Sequence, residues 1–157
     1  MTVERSLLIV TAVGAGLIGG VMFAFSTFIM TALGRLEPGQ GITAMQAINR
    51  AAPNALFMTA LFGTALTSIA LAVVTVIRHD ASAIYAMVAC ILYLVGIVLT
   101  VVYHVPRNNA LDALDPAGAG SAEFWRNYVS GWTAWNHIRT VSALSASAVL
   151  LWAATGR

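Results

Sequence analysis

The sequence predicts an all-α fold: a four-helix transmembrane bundle with two extra short interfacial helices in the long connections on one membrane face. Composition is the first indication, because 59% of the 157 residues are hydrophobic and 9% are charged, against about 25% charged in an average soluble domain. Second, four apolar segments approach the roughly 20 residues that a helix needs to cross the hydrocarbon core. Third, these segments lack the strict two-residue alternation of membrane β-strands, which leaves helices as the structure that satisfies the backbone in lipid.

The four predicted spans belong to a single membrane domain, 1–157, and cover residues 6–33, 54–77, 84–105 and 139–155. The first apolar run is too long for a cleaved signal peptide, whose apolar core is about 7–15 residues. The fourth span is short unless it extends backwards. Pro106 fits the end of the third span, because proline cannot continue a hydrogen-bonded helix.

The connections between the spans are unequal in length. An even number of crossings returns the chain to its starting side, so the two long connections share one membrane face, and the short connection "RHDASA" and both termini share the other. Short interfacial helices are predicted at about 42–51 and 121–137, where apolar and aromatic residues recur at three- and four-residue steps and tryptophans suit the membrane interface. We expect a multi-pass integral protein of the plasma membrane, with the lipid bilayer as a partner.

Small and charged residues narrow the range of partners. Gly16 and Gly20 stand in GxxxG spacing, which favours close helix contacts either inside the bundle or in a homo-oligomer. The internal contact is favoured, since a four-span chain needs such contacts. The net charge of +2 comes from scattered arginines and does not predict a nucleic-acid partner. The single cysteine, Cys90, excludes an intrachain disulfide.

Polar side chains gather at the face of the long connections. His104 ends the third span in "YHVPRNN" and His137 opens the fourth in "WNHIRT". Near them the sequence places further polar residues, namely Gln46, Asn49, Asn108, Asn109, Asn136 and Arg139. One interpretation is that these residues only meet headgroups at the helix ends. Polar groups at membrane depth usually face the bundle interior or a water-filled cavity, and the opposite face has no such cluster, so we predict a pocket with a polar mouth.

The fourth span supplies the core of this pocket. Trp132, Asn136 and Arg139 follow each other at steps of four and three, which places them on one helical stripe. His137 lies about 100° around the helix from Asn136, and both are expected to border the cavity. Apolar and aromatic residues of the first span, together with a further tryptophan, complete the predicted wall: Met22, Phe25, Ser26 and Trp135. Such a pocket suits a small, flat, apolar aromatic molecule.

Metal and cofactor motifs are weak in this sequence. It contains no P-loop, GxGxxG, GxSxG or HExxH motif. Two histidines with one distant cysteine make a poor zinc or di-iron set. No cofactor is therefore predicted, and a haem or copper site that uses His104 and His137 remains the lower-ranked alternative.

Three stretches together resemble the anthrone oxygenase-like family of small membrane proteins. They are "MFAFSTFIMTALGRLEPGQGITAMQAIN", "VPRNNALDAL" and "FWRNYVSGWTAWNHIRT". The family pattern has asparagine in place of His104 and leucine in place of Arg107. The resemblance therefore carries over to the neighbouring matching residues, which are Asn108, Asn109, Trp135, Asn136, His137 and Arg139, and not to His104.

The resemblance implies oxidation of an anthrone to an anthraquinone by dioxygen, without flavin, haem or metal. Histidine is the usual proton acceptor near neutral pH, so we assign His137 as the base that removes a methylene proton. Arg139, with Asn136, is assigned to stabilise the enolate oxygen. His104 is kept as an alternative base or ligand.

Two other functions stay open from the sequence. The chain is alternatively a non-enzymatic small-molecule-binding protein or an accessory subunit of a larger membrane assembly. A metal- or haem-dependent membrane oxidoreductase that uses the two histidines ranks third. A four-helix bundle hosts many activities, so the fold alone does not separate these functions.

Overall fold

The computed structural model describes residues 3–78 and 83–155 of the chain and shows only helices there, with no strand. The five helices are α1 (Val3–Gly34), α2 (Pro38–Ala51), α3 (Ala55–Arg78), α4 (residues 83–112) and α5 (Ser121–Thr155). Four of them, α1, α3, α4 and α5, are long and apolar enough to cross a membrane. The predicted all-α bundle with four spans is therefore confirmed.

The four spanning helices form a closed ring. α1 packs against α3 and α5, and α4 packs against the same two helices. Small side chains allow the close approach, since a methyl group placed on Gly16 would meet Ser147 of α5 and one on Gly19 would meet Leu144. These glycines therefore serve contacts inside the bundle.

The amphipathic helix α2 covers one end of this ring. Its buried residues include Ile42 and Met45, which pack against Trp125 and Tyr128 of α5 in a second hydrophobic core. Pro38 stands in the first turn of α2, where its missing N–H is tolerated. Asn54 caps the next helix, because its side-chain oxygen accepts a hydrogen bond from the Phe57 N–H at 3.0 Å.

Two predicted boundaries need correction. The segments 121–137 and 139–155 are a single helix, α5, of 35 residues. The third span does not end at Pro106 but runs on to Asp112 through a π-helical turn, Thr100–His104. This wider turn precedes the proline, and Pro106 occupies the first turn of the α-helical segment that follows, where no intrahelical N–H is required. The short connection "RHDASA" lies largely outside the described residues.

Candidate functional site

A cavity of about 460 Å³ lies inside the bundle at the end that carries the long connections. All five helices contribute to its wall, which is mostly apolar and includes Met22, Phe25, Met45, Phe57, Met58 and Trp132. Its polar lining residues are Asn49, Asn54, Thr100, His104, Asn108 and Arg139. This size and this mixture of an apolar wall with a few convergent polar groups are typical of small-molecule sites.

Two π-helical turns border the cavity. One is Phe25–Ile29 in α1, where the Met30 N–H bonds to the Phe25 carbonyl, and the other is Thr100–His104 in α4, where the Val105 N–H bonds to the Thr100 carbonyl. A π turn adds one residue to a helical turn and so shifts which side chains face a neighbour, and such turns occur often at functional sites. Phe25, Thr100 and His104 all belong to these turns and all line the cavity.

His104 lies inside the cavity wall with its side chain only 2% exposed. Aromatic rings hold it in place, since its ring centroid lies 4.8 Å from that of Trp132 and 5.4 Å from that of Tyr103. Neither imidazole nitrogen has a hydrogen-bond partner among residues 3–78 and 83–155. Both nitrogens are themselves buried, so the ring must turn before either can exchange a proton or a hydrogen bond with a molecule in the cavity.

Arg139 brings a positive charge to the same cavity. It is 6% exposed and lines the wall from α5. Within residues 3–78 and 83–155, no carboxylate forms an ion pair with its guanidinium. A buried cation without a counter-ion is costly, and an ionisable group at membrane depth usually marks a functional site. The cavity is thus prepared for an anion or for a negative charge that develops during a reaction.

Asn136 is fully buried but lies behind the cavity wall rather than in it. Its amide nitrogen donates to the Met22 carbonyl at 2.8 Å and to the Ser26 hydroxyl at 2.9 Å. The Ser26 and Thr140 oxygens are 3.0 Å apart, and the Thr140 hydroxyl donates back to the Asn136 carbonyl. This closed set of hydrogen bonds joins α1 to α5, so Asn136 and Ser26 position the wall.

Asn108 is held by two donors from α5. Its side-chain oxygen accepts hydrogen bonds from the Tyr128 hydroxyl at 2.8 Å and from the Trp132 indole N–H at 3.0 Å. Because an indole N–H can only donate, the amide must turn its oxygen towards Trp132. Asn108 lines the cavity, and its NH₂ group is left as the donor that it can offer to a ligand.

Gln46 has a structural role at the rim of the site. Its amide nitrogen donates to the carbonyls of Leu111 and Leu114, both at 2.9 Å. These bonds hold the end of α4 against α2. Gln46 itself does not line the cavity, whereas Asn49, one turn further along α2, does.

Three predicted site residues lie elsewhere, and the expectation that His137 borders the cavity is wrong. His137, Trp135 and Asn109 are exposed and are not part of the cavity wall. Trp135 instead packs on Tyr103, with ring centroids 5.2 Å apart. The inward stripe of α5 runs through Trp132, Asn136 and Arg139, and the 100° step per residue carries His137 away from it.

The placement of His137 also bears on the metal alternative. His104 lines the cavity and His137 does not, so the two histidines do not form a ligand pair there. In the described ranges, no group of three or more His, Cys, Asp or Glu side chains is arranged to hold a metal ion.

Several cavity residues were not anticipated from the sequence. They are Met45, Phe57, Met58 and Thr100, and Tyr128 supports the site through Asn108. The sequence could have indicated Phe57 and Met58 as cavity residues, because they follow Pro53 at the start of a span, at the membrane face that carries the polar residues. The sequence could not have indicated Thr100, because Thr100 faces the cavity through a π turn that the sequence pattern does not predict.

Comparison with known proteins adds one finding to this geometry. The family model described as anthrone oxygenase matches residues 45–149, which is two-thirds of the chain. The match includes the second half of α2, all of α3 and α4, and the Trp132 and Arg139 region of α5. No curated protein and no solved structure matches the chain.

Proposed function

Because this chain belongs to the anthrone oxygenase family, we propose that it is a membrane-embedded, cofactor-independent oxygenase that oxidises an anthrone-like or other flat aromatic substrate with dioxygen. The observation that carries the proposal is the buried, unpaired Arg139 beside His104 in a largely apolar cavity. An oxygenase that works through an enolate requires this combination of a cation, a proton acceptor and a dry pocket.

The reaction balances with dioxygen as the sole oxidant. The carbonyl of an anthrone acidifies the methylene group on the opposite side of the central ring, and loss of a proton gives an electron-rich enolate. Dioxygen adds to the former methylene carbon, and the resulting hydroperoxide loses water to form the second carbonyl. One oxygen atom ends in the quinone and the other in water, so no external reductant is consumed.

His104 takes the proton in this scheme. It replaces His137 as the base because, of these two histidines, His104 lines the cavity and its ring nitrogens have no hydrogen-bond partner in the described part of the chain. General acid–base catalysis of this kind contributes about 10²–10⁴-fold to a rate. Since the family pattern has asparagine at this position, the role belongs to this chain's own residue and not to the resemblance.

Arg139 and Asn108 act on the oxygen of the substrate. The guanidinium opposes the negative charge that the enolate oxygen acquires, and the Asn108 NH₂ group donates a hydrogen bond to it. Both groups interact most strongly with the substrate when the negative charge develops on its oxygen. Stronger binding of the transition state than of the ground state lowers the activation barrier. Phe25 and Trp132, whose ring centroids lie 5.5 Å apart, offer aromatic surface for a flat substrate.

The test uses the two histidines as a matched pair. Protein purified in mild detergent is mixed with an anthrone in air, and anthraquinone absorbance and dioxygen consumption are followed. His104→Ala is expected to lower turnover by about 100-fold or more, while His137→Ala, a change on the outer surface, leaves it within about twofold.

Three outcomes discriminate between the functions. Equal turnover in wild type and His104→Ala refutes the assignment of the base. Absence of turnover in the wild type with any anthrone, combined with tight binding of an anthraquinone, supports the non-enzymatic binding function instead. Activity that follows a co-purifying metal or haem supports the third function.

A further inference from the structure

A second, smaller void lies beside the cavity. Its volume open to the centre of a water-sized molecule is about 10 Å³, and one bound water needs about 10–15 Å³ measured in this way. Met22, Leu61, Thr100 and Arg139 border both this void and the cavity. The void, here named the rear void, therefore has room for a single water-sized molecule next to Arg139.

Two hydroxyl groups at the rear void have already donated their hydrogens. The Tyr93 hydroxyl donates to the Leu61 carbonyl at 2.9 Å. The Thr100 hydroxyl donates to the Gly96 carbonyl at 2.8 Å. A hydroxyl oxygen that donates can still accept a hydrogen bond through its lone pairs. Tyr93 and Thr100 therefore offer the rear void hydrogen-bond acceptors and no free donor.

Arg139 borders the rear void with the opposite capacity. Its guanidinium carries five N–H donors and cannot accept a hydrogen bond. The side chain is 6% exposed, and no acceptor in residues 3–78 and 83–155 is hydrogen-bonded to the guanidinium. Buried polar groups in proteins are normally satisfied by protein or by ordered water. A buried cation of this kind therefore requires an acceptor close to it.

These groups together select the chemistry of the occupant. It must accept a hydrogen bond from Arg139 and donate one to each of the two hydroxyl oxygens. Water does both, and a buried water typically makes about three hydrogen bonds. A halide ion accepts but cannot donate, an apolar gas does neither, and a metal ion is repelled by the guanidinium charge.

We propose that one water molecule is bound in the rear void and bridges Arg139 to Tyr93 and Thr100. The water gives the guanidinium a fixed partner on one side and leaves its other N–H groups for a molecule in the cavity. Tyr93 borders the rear void but not the cavity, so it acts on the cavity only through its neighbours. Tyr93 and Thr100 are therefore positioning residues for the cation.

The water site stands on the geometry alone, whereas its role in positioning rests on the proposed function. In that function the guanidinium must point at the oxygen of the substrate while negative charge develops there. A cation that is held in place before the reaction needs little rearrangement when the charge appears. The bridging water thus extends the function from Arg139 to the residues that orient it.

The first experiment is a crystal structure of the ligand-free wild type at a resolution that shows ordered water. Density for one water is expected within hydrogen-bond distance of Arg139, Tyr93 and Thr100. It should be absent in the double variant Tyr93→Phe/Thr100→Val, which removes both acceptors. Thr67→Val is the matched control, because the Thr67 hydroxyl also bonds within its own helix, to the Thr64 carbonyl at 3.0 Å, and Thr67 borders neither space. The water should remain in that control.

The second experiment measures how well the charge is positioned in the cavity. The probes are uncharged anthraquinone and 2-hydroxyanthraquinone, which is a phenolate at alkaline pH. For Tyr93→Phe the Kd of the phenolate is expected to rise about threefold or more, the scale of one net hydrogen bond, with the Kd of anthraquinone unchanged. Thr67→Val should keep both Kd values. If Tyr93→Phe does not fold, Thr100→Val removes the other acceptor and should give the same pattern.

The outcomes separate this inference from the proposed function. Wild-type protein that turns over but shows no water density in the rear void overturns the water site and leaves the oxygenase intact. An unchanged Kd of the phenolate in Tyr93→Phe, or an equal loss of affinity for both probes, overturns the positioning role. Water bound in the rear void of a protein without turnover keeps the site and overturns the oxygenase.

Discussion

The two ends of this bundle are built differently. At the end nearer the termini, the core contains many small side chains, among them Ala12, Ala15, Ala86, Ala89 and Ala146. At the end of the long connections, the core is made of large side chains such as Met30, Met45, Trp125 and Trp132, and it surrounds a cavity. Small residues let helices approach closely in lipid, whereas bulky residues and π turns keep them apart and leave room for a ligand.

The charged and ionisable groups follow the same division. Among the Arg, His, Asp and Glu residues in the described part of the chain, the two that are buried, His104 and Arg139, both lie at the cavity end. The comparison therefore teaches that one end is closely packed, whereas the other holds the cavity in which we propose that the reaction occurs. The three predictions below test this division, beginning with the largest effect.

Replacement of Arg139 by methionine should have the largest effect, because it removes the buried positive charge from the cavity end and leaves that core as uncharged as the core at the opposite end. Turnover is expected to fall by about 10²–10³-fold, the usual loss when a group that stabilises transition-state charge is removed. The Tm in mild detergent should stay equal or rise, since the change removes a buried, unpaired cation. An anthraquinone-forming assay and a thermal melt measure the two effects.

Arg107→Met is the matched control for this prediction. Arg107 is exposed and lies over the Tyr103 ring at 5.1 Å from the ring centre, so its loss should leave turnover unchanged. A marked drop in the Tm of Arg139→Met, with turnover retained, would show that Arg139 is structural.

Replacement of Asn108 by alanine should weaken the cavity end itself. The change leaves the Tyr128 hydroxyl and the Trp132 indole N–H without their acceptor, which costs about 1–3 kcal/mol of unfolding free energy for a buried donor. The Tm should fall and tryptophan fluorescence should shift. The neighbouring, exposed Asn109→Ala should change the unfolding free energy by less than about 0.5 kcal/mol. A Tm of Asn108→Ala equal to that of the wild type would contradict the inferred hydrogen bonds.

Two glycines of α1 test the packing of the opposite end with the same change. A methyl group on Gly14 would collide with the Thr64 hydroxyl, whereas one on Gly20 would meet nothing within 4 Å. Gly14→Ala should destabilise the bundle by about 1–3 kcal/mol through overpacking. Gly20→Ala should be neutral or stabilise by up to about 1 kcal/mol through helix propensity. Thermal melts of both variants measure the difference in stability, and equal Tm values would argue against tight packing at Gly14.

The overall architecture was predictable because the bilayer imposes it. Length and hydropathy located the four spans, and the even count set the connectivity. The start of the fourth span was misplaced because Asn136 and Arg139 looked like the polar end of a span. Their side chains turn inward instead, to the hydrogen-bonded junction with α1 and to the cavity, so the helix continues through them and covers Ser121–Thr155.

The candidate site was predictable in part. The stripe of Trp132, Asn136 and Arg139 correctly gave the inward face of α5. The extension of that face to His137 was wrong, because one further step of about 100° takes His137 to the exposed side of the helix. His104 and Thr100 depend on the π turn Thr100–His104, which no spacing in the sequence reveals. Whether a polar residue lines a cavity or supports it from behind, as Asn136 does, depends on packing that periodicity does not contain.

The length of α5 has a consequence for how a ligand is exchanged. Its 35 residues extend for about 52 Å, well beyond the roughly 30 Å hydrocarbon layer. Trp132 and Arg139 thus belong to one continuous helix, so these two parts of the cavity wall cannot move apart from each other. The cavity wall includes Pro53 and Asn54, which are exposed at the corner between α2 and α3, so we expect a lipid-dissolved molecule to enter sideways there.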